Sequence, residues 1–257
     1  MRSRRIGLVP TQVRILYSAK KMKKILIRKD KKYYWNEGDL HTASGVIKEE
    51  DLKKSVNKVK AHSGKEFSVA PALFIDKIEK IKRDPQAMLE KDIALILTYS
   101  SIDKDSIVLE AGTGSGKLTS FLARIVKKVY SYDKNKDNLN LAKKNLDFLD
   151  IKNVELKNKD IYENIDEKEL DLIVLDLPMP WKTVKNCYDS LKQGSFLISY
   201  LPTIPQVMEF IHEVNKHNFL VVKTIELIER EWMVEGQKTR PKSSLQHTAF
   251  LTFVRKL

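Results

Sequence analysis

The stretch Ser106-Ile107-Val108-Leu109-Glu110-Ala111-Gly112-Thr113-Gly114-Ser115-Gly116 decides how this chain is read. A β-branched, apolar run ends in an acid, and three glycines then alternate with small hydroxylated residues. The next seven residues, Lys117-Leu118-Thr119-Ser120-Phe121-Leu122-Ala123, have helix-like apolar spacing. The pattern predicts a buried strand, a tight turn and a helix start, where backbone can approach a ligand closely. Two phosphate-loop patterns fit badly. A Walker A loop needs glycine where Ala111 stands and Ser or Thr where Leu118 stands, and the dinucleotide fingerprint has its third glycine where Lys117 stands. Read alone, the loop leaves open another nucleotide site or a structural turn.

The chain of 257 residues has room for one large domain, or one domain with a small appendage. Its 42% hydrophobic content supplies a core. No run of about 18 apolar residues predicts a membrane span, and the basic start lacks the sustained apolar region of a signal peptide. Cys187 stands alone, which excludes an internal disulfide framework and a multi-cysteine metal site, and it reads as a small buried side chain. A soluble cytoplasmic protein without a metal is the expectation. The net charge of +13 is unevenly spread: residues 1–34 hold 12 Lys/Arg against Asp30 alone, and the remainder holds 35 basic against 33 acidic residues. Affinity for a polyanion would therefore come from the basic N-terminal end or from local patches. A solvated lysine-rich surface is the plainer alternative.

Residues 1–21 read as a basic extension. Residues 22–75 carry short alternating apolar pieces at 25–27, 33–35, 45–47 and 66–69, separated by polar and glycine turns, and predict a small β-rich domain. From 76 to 257 a larger domain is expected, entered through linker helices over 72–81 and 93–99. Strands are predicted at 106–111, 129–132, 154–156, 172–175, 195–200, 220–228 and 248–254, with helices at 117–123, 138–149, 182–192 and 204–215 between them. This alternation predicts an α/β, doubly wound, mostly parallel Rossmann-like sheet. No helix separates the last two strands, so they are expected to form an antiparallel pair at the sheet edge.

Ligands of such sheets sit beyond the carboxyl ends of the strands, and Glu110, Asp133, Asp160 and Asp176 all fall there. Asp133 follows Gly112 by 21 residues, the separation at which a carboxylate meets a ribose diol, and Asp160 is expected to reach an adenine edge. Each acid could equally be a cap or a solvated side chain, but four in successive units point to a nucleoside-type site. Asp176-Leu177-Pro178-Met179-Pro180-Trp181 carries two prolines, a carboxylate and an aromatic face, which suits a planar base. Taken by itself it is also a proline-rich turn with a packing Trp.

The spacing Glu110-x-Gly112-x-Gly114-x-Gly116 resembles the first motif of class I S-adenosylmethionine (AdoMet) methyltransferases. With 176–181, Tyr200-Leu201-Pro202, Gln206-Val207, Arg240-Pro241 and His247-Thr248-Ala249-Phe250-Leu251 in that order, the chain resembles the tRNA (adenine-58-N1)-methyltransferases of archaea and bacteria. The resemblance covers most of residues 22–257, including Gln86 and Lys91-Asp92 in the linker. It implies methylation of N1 of a T-loop adenine in tRNA, at position 58 and in some members 57, by a homotetramer. It assigns AdoMet to Gln86, Glu110, Gly112, Thr113, Gly114, Ser115, Gly116, Asp133, Asp160, Ile161 and Asp176. Asp176 matches the catalytic aspartate, and Trp181, Arg240 and His247 would shape the pocket for the base.

The chain departs from that family in three places. Leu89-Glu90 replace Tyr-Pro in the linker motif, Ala249 replaces a glycine after His247-Thr248, and Asn138 stands where arginine is common. Two other functions compete: a class I methyltransferase with a different acceptor, and a non-catalytic tRNA-binding subunit of the same fold. The retained glycines and Asp176 argue against the second.

Overall fold

The computed structural model describes residues 22–82, 87–243 and 247–257. The chain divides into two compact units, the first ending at Pro71 and the second beginning at Ala72. In the first unit, β1 (Lys24–Arg28) turns back into β2 (Lys31–Trp35), and β3 (Leu40–Thr42) pairs with β4 (Gly45–Ile47). Helix α1 (Glu49–Lys54) leads to β5 (Lys58–Lys60) and β6 (Glu66–Pro71). One sheet has the order β2-β1-β6-β5, and Leu26, Trp35, Ile47, Leu52, Phe67 and Val69 form its core. Helix α1 was not legible in the sequence, because its six residues include a single buried apolar side chain, Leu52.

The second unit opens with α2 (Phe74–Ile78) and α3 (Glu90–Tyr99). It continues through β7 (Ile107–Ala111), α4 (Lys117–Leu122), β8 (Lys128–Tyr132), α5 (Lys136–Leu149), β9 (Val154–Lys157) and β10 (Leu170–Leu175). A 3-10 turn at Pro180–Thr183 precedes α6 (Val184–Ser190), β11 (Leu191–Leu201), α7 (Ile204–Val214) and β12 (Phe219–Glu226). A hairpin of β13 (Trp232–Glu235) and β14 (Lys238–Pro241) comes before β15 (Phe250–Lys256).

The seven-stranded sheet has the order β12-β15-β11-β10-β7-β8-β9, and β15 runs antiparallel to both β11 and β12. The doubly wound architecture and the antiparallel ending are as the sequence predicts. Alternation along the central strands sends successive residues to opposite faces. Leu109, Ile173, Leu175 and Leu197 pack with Val184, Cys187, Phe210 and Val214 under α6 and α7. Val108, Leu172, Val174 and Ile198 pack with Ile93, Ile96, Leu118 and Leu122 under α3 and α4. Cys187 is fully buried and burial pushes its thiol up to about 12, consistent with an inert core residue. Among the described residues, no helix is long and apolar enough to cross a membrane.

Three elements differ from expectation. The helix predicted over 72–81 shrinks to α2. The helix predicted over 182–192 starts as the 3-10 turn, because Pro180 sets its entry, and ends at Ser190, because Leu191 already pairs with Leu170. A register shift between Leu170 and Leu172 lets β11 absorb the Gln193-Gly194 turn. The charged loop around Trp232 is a hairpin, with Gly236 supplying a φ of +53° at its tip.

Candidate active site

From β7 the chain winds outward through β8 to β9, then returns to place β10 on the other side of β7. The crevice at such a reversal is where open α/β sheets bind ligands. The Asp176 N–H donates to Ala111 O at 2.8 Å, so the acid begins where the last rung of the β7–β10 ladder ends. Gly112 has a φ of +88°, and a Cβ there would stand 2.1 Å from Asp176 O. Glycine at 112 is therefore required by the neighbouring strand end. Gly116, at φ +76°, faces Ala142 of α5, where a Cβ would stand at 3.1 Å. Gly114 has a φ of +50° and open space on its Cβ side.

The loop is braced from below. The N–H groups of Gly112 and Thr113 donate to Tyr132 O, and Asn145 Nδ2 donates to Ser115 O at 2.8 Å. Thr113 and Ser131 share a hydroxyl contact at 2.8 Å, and Thr119 and Ser131 donate to Glu110 Oε2 at 2.5 and 3.1 Å. Glu110 is fully buried, and burial outweighs these hydrogen bonds, with Asp176 and Asp133 adding repulsion, so its carboxyl rises to about 8.

Asp133 ends β8 and faces the loop. Its Oδ2 accepts from Gly114 N at 3.0 Å and from Asn138 Nδ2 at 2.9 Å, and its Oδ1 accepts from Asn135 N at 2.8 Å. Three donors on a carboxylate with about four lone-pair sites leave one for a ligand hydroxyl. Asn138, the departure from arginine, thus acts on Asp133 itself.

These residues line a cleft of about 630 Å³, formed by Ala87, Met88 and Leu89, the loop from Gly112 to Ser115, Lys117, Asp133, Asn138, Asp176, Tyr200, Pro202, His247 and Thr248. Asp176 lies at its floor. Burial lifts its carboxyl from 3.8 to about 7, and among the described residues no side chain donates to it. His247 lies at the rim, with Nδ1 2.6 Å from Glu226 Oε1 and Nε2 2.7 Å from Pro202 O. Both partners are acceptors, so the protonated imidazolium is the form that satisfies both contacts, and the Glu226 contact raises the His247 pKa above its ordinary value.

A buried polar network that the sequence reading noted only as a linker motif closes one side. Lys91 Nζ donates to Asp92 Oδ1, Leu227 O and Thr248 Oγ1, each at 2.7 Å. Thr248 and Tyr200 donate to Asp92 Oδ2 at 2.9 and 3.1 Å. Burial and the charge of Asp92 raise the Tyr200 pKa, keeping it a donor. The pairing of an adjacent Lys and Asp with side chains more than a hundred residues away has no local sequence signature.

Other predicted residues stand elsewhere. Asp160 forms a local turn, accepting from Tyr162 N at 3.0 Å, and Ile161 is buried in the core beneath α6 and α7. Neither lines the cleft, nor do Gly116, Trp181 or Arg240. Trp181 is half-buried in the 3-10 turn, and Arg240 is exposed on β14. Gln86 lies outside the described residues.

The site fits AdoMet in three respects: an open face at Gly114, a remaining acceptor on Asp133, and a cleft that also holds a carboxylate clear of protein donors. Fold and cleft define a class I AdoMet-dependent methyltransferase. The family model described as tRNA methyltransferase complex GCD14 subunit matches residues 71–250, and the chain belongs to that family. A tRNA (adenine(57)-N(1)/adenine(58)-N(1))-methyltransferase TrmI of Methanocaldococcus jannaschii is 33% identical over 83% of this chain and 86% of its own length. Among solved structures, tRNA (m1A58) methyltransferase TrmI from Aquifex aeolicus superimposes with a TM-score of 0.78 at 26% identity, covering 93% of this chain and 98% of that one. A SAM-dependent O-methyltransferase from Thermotoga maritima gives a TM-score of 0.82 at 26% identity, covering 94% of each chain.

Proposed function

We propose that this chain transfers the methyl group of AdoMet to N1 of adenine 58 in the T loop of tRNA, with the neighbouring position 57 a second acceptor. Bound AdoMet supplies a methyl group already activated by the sulfonium, so the protein's work is to position N1 and to answer the charge that develops. The observation that carries this reading is the Asp176 carboxylate at the cleft floor, beside the glycine loop and without a protein donor of its own. Adenine offers it the N6 amine. Methylation at N1 makes the ring cationic, and a carboxylate at N6 stabilises that charge where water is excluded. Gly112 and Ala111 hold the Asp176 backbone, and the Lys91–Asp92–Thr248 network fixes Tyr200 in the cleft wall. A T-loop adenine is buried in folded tRNA and must leave its stack to enter.

Self-association as a homotetramer, implied by the family resemblance, is supported by Leu220 and Val222, exposed on the edge strand β12. A tRNA substrate supports a cytoplasmic location.

The test is incubation with methyl-labelled AdoMet and unmodified tRNA transcripts, followed by mapping of the labelled nucleoside. Label at N1 of adenine 58, lost in a transcript with guanine at that position, is expected. Label on a base other than adenine 57 or 58, or on protein and not RNA, would sink the reading.

A further inference from the structure

Lys117 follows the third glycine directly, yet its side chain is buried in the cleft wall. Its Nζ stands 2.9 Å from Glu90 Oε1, at the start of α3. That contact is an ion pair out of hydrogen-bonding alignment, and the buried ammonium has no hydrogen-bond acceptor among the described residues. A lysine ammonium has three donors, and burying them without acceptors is costly. Such a group is satisfied when an anion enters the cleft. The two partners also sit at informative positions: Glu90 is one of the two residues that replace Tyr-Pro in the linker motif, and Lys117 touches it.

The ligand's own chemistry says which anion. AdoMet has a ribose diol, an adenine and, at the other end of the sulfonium, an aminocarboxylate. Asp133 offers an acceptor to the diol, and its carboxylate, with that of Asp176 when ionised, repels an anion. Of the described residues lining it, Lys117 and His247 are the cationic ones, and His247 already spends both ring N–H groups on Glu226 and Pro202. We propose that the Lys117 ammonium binds the α-carboxylate of AdoMet, and that Glu90 holds the ammonium in place and competes with the carboxylate for it. This rests on the reading that the cleft is the AdoMet site, and adds the residue that recognises the ligand's amino-acid end.

The experiment compares equilibrium binding of AdoMet, S-adenosylhomocysteine and 5′-methylthioadenosine, which lacks the aminocarboxylate, to the parent, Lys117→Met and Glu90→Gln. In Lys117→Met the first two ligands should bind about ten- to hundredfold more weakly, the loss of a charge-assisted hydrogen bond. The affinity for 5′-methylthioadenosine should stay within about twofold of the parent's, since that ligand has no carboxylate to lose. Glu90 is half-exposed, so Glu90→Gln keeps the fold, and removing the competitor should tighten AdoMet without changing 5′-methylthioadenosine. Equal losses for all three ligands, or AdoMet binding weakened in Glu90→Gln, would make the pair a structural strap and overturn the proposal. A parent that binds 5′-methylthioadenosine no worse than AdoMet overturns it while leaving the cleft as a nucleoside site. A parent that binds none of the three overturns the reading of the cleft, and this proposal with it.

Discussion

Gly112 and Asp176 cannot be separated: a Cβ on the glycine would stand 2.1 Å from the aspartate's carbonyl oxygen, and the aspartate's N–H is bound to the residue before that glycine. The turn that opens the cleft and the carboxylate at its floor are therefore one structural unit, built where β7 and β10 lie side by side.

Gly112→Ala should damage the fold, and Gly114→Val should damage the ligand site. At 112 the left-handed backbone costs about 1–2 kcal/mol for any other residue and the collision with β10 about 1–3 kcal/mol more. At 114 the backbone cost is similar but the Cβ meets no protein atom closer than 4.0 Å. Urea unfolding should show the larger loss in Gly112→Ala, and calorimetry with AdoMet should show binding abolished in a folded Gly114→Val. Unchanged AdoMet affinity in that variant would remove the loop from the site.

Asp176→Asn keeps the size of the side chain and one acceptor oxygen, but removes the charge that faces the adenine. Single-turnover methylation of tRNA should slow by about 10²–10³, or about 3–4 kcal/mol, as when one preorganised electrostatic group is lost. AdoMet affinity should change far less. Near-parental chemistry would defeat the catalytic assignment, and lost AdoMet binding with normal chemistry at saturation would move Asp176 to the cofactor.

The pH profile follows from the same carboxyl. Its pKa is raised from 3.8 to about 7, and the ionised form is the one that answers a cationic ring, so kcat/KM should rise through about pH 7. The folded protein holds this proton more tightly than the unfolded chain does, so the contribution of Asp176 to stability is greatest below 3.8 and is lost as pH rises towards 7. Asp176→Asn should therefore gain melting temperature over the parent above pH 7 and lose that gain near 3.8. Melting curves with a pH-independent difference would contradict the buried, ionising carboxyl.

His247 gives the opposite check at the rim. Its pKa is raised from 6.5 by Glu226 and Pro202, so the stability it adds is complete below 6.5 and disappears as pH rises through the elevated folded value. His247→Gln should lower the melting temperature at about pH 5.5 and have a smaller effect at alkaline pH, beyond the elevated folded value. Equal effects at both would mean that the ring serves by packing against Phe250 alone.

Strands β7 and β10 were legible as short, mostly apolar runs and β8 as an alternating piece, each with its boundary marked chemically, by Gly112, Asp176 and Asp133 respectively. The glycine spacing and those acids follow from local geometry: a turn with positive φ must use glycine, and a ligand at strand ends needs polar groups one residue beyond the ladder. Local pattern in the chain was thus enough for the doubly wound sheet and for the acids at its strand ends, but not for the strand order that creates the reversal point. Tertiary structure alone decided which neighbours those acids have. Asp133 meets Gly114 and Asn138, Asp160 turns on itself beside its strand, and Lys91 reaches Thr248 across most of the unit. Lys117 reads in the sequence as an ordinary helix residue, and only packing buries its ammonium beside Glu90. The reason is physical: backbone angles and apolar periodicity act over a few residues, whereas burial, and with it the pKa of Asp176 and the choice of ion-pair partners, depends on every element packed around the group.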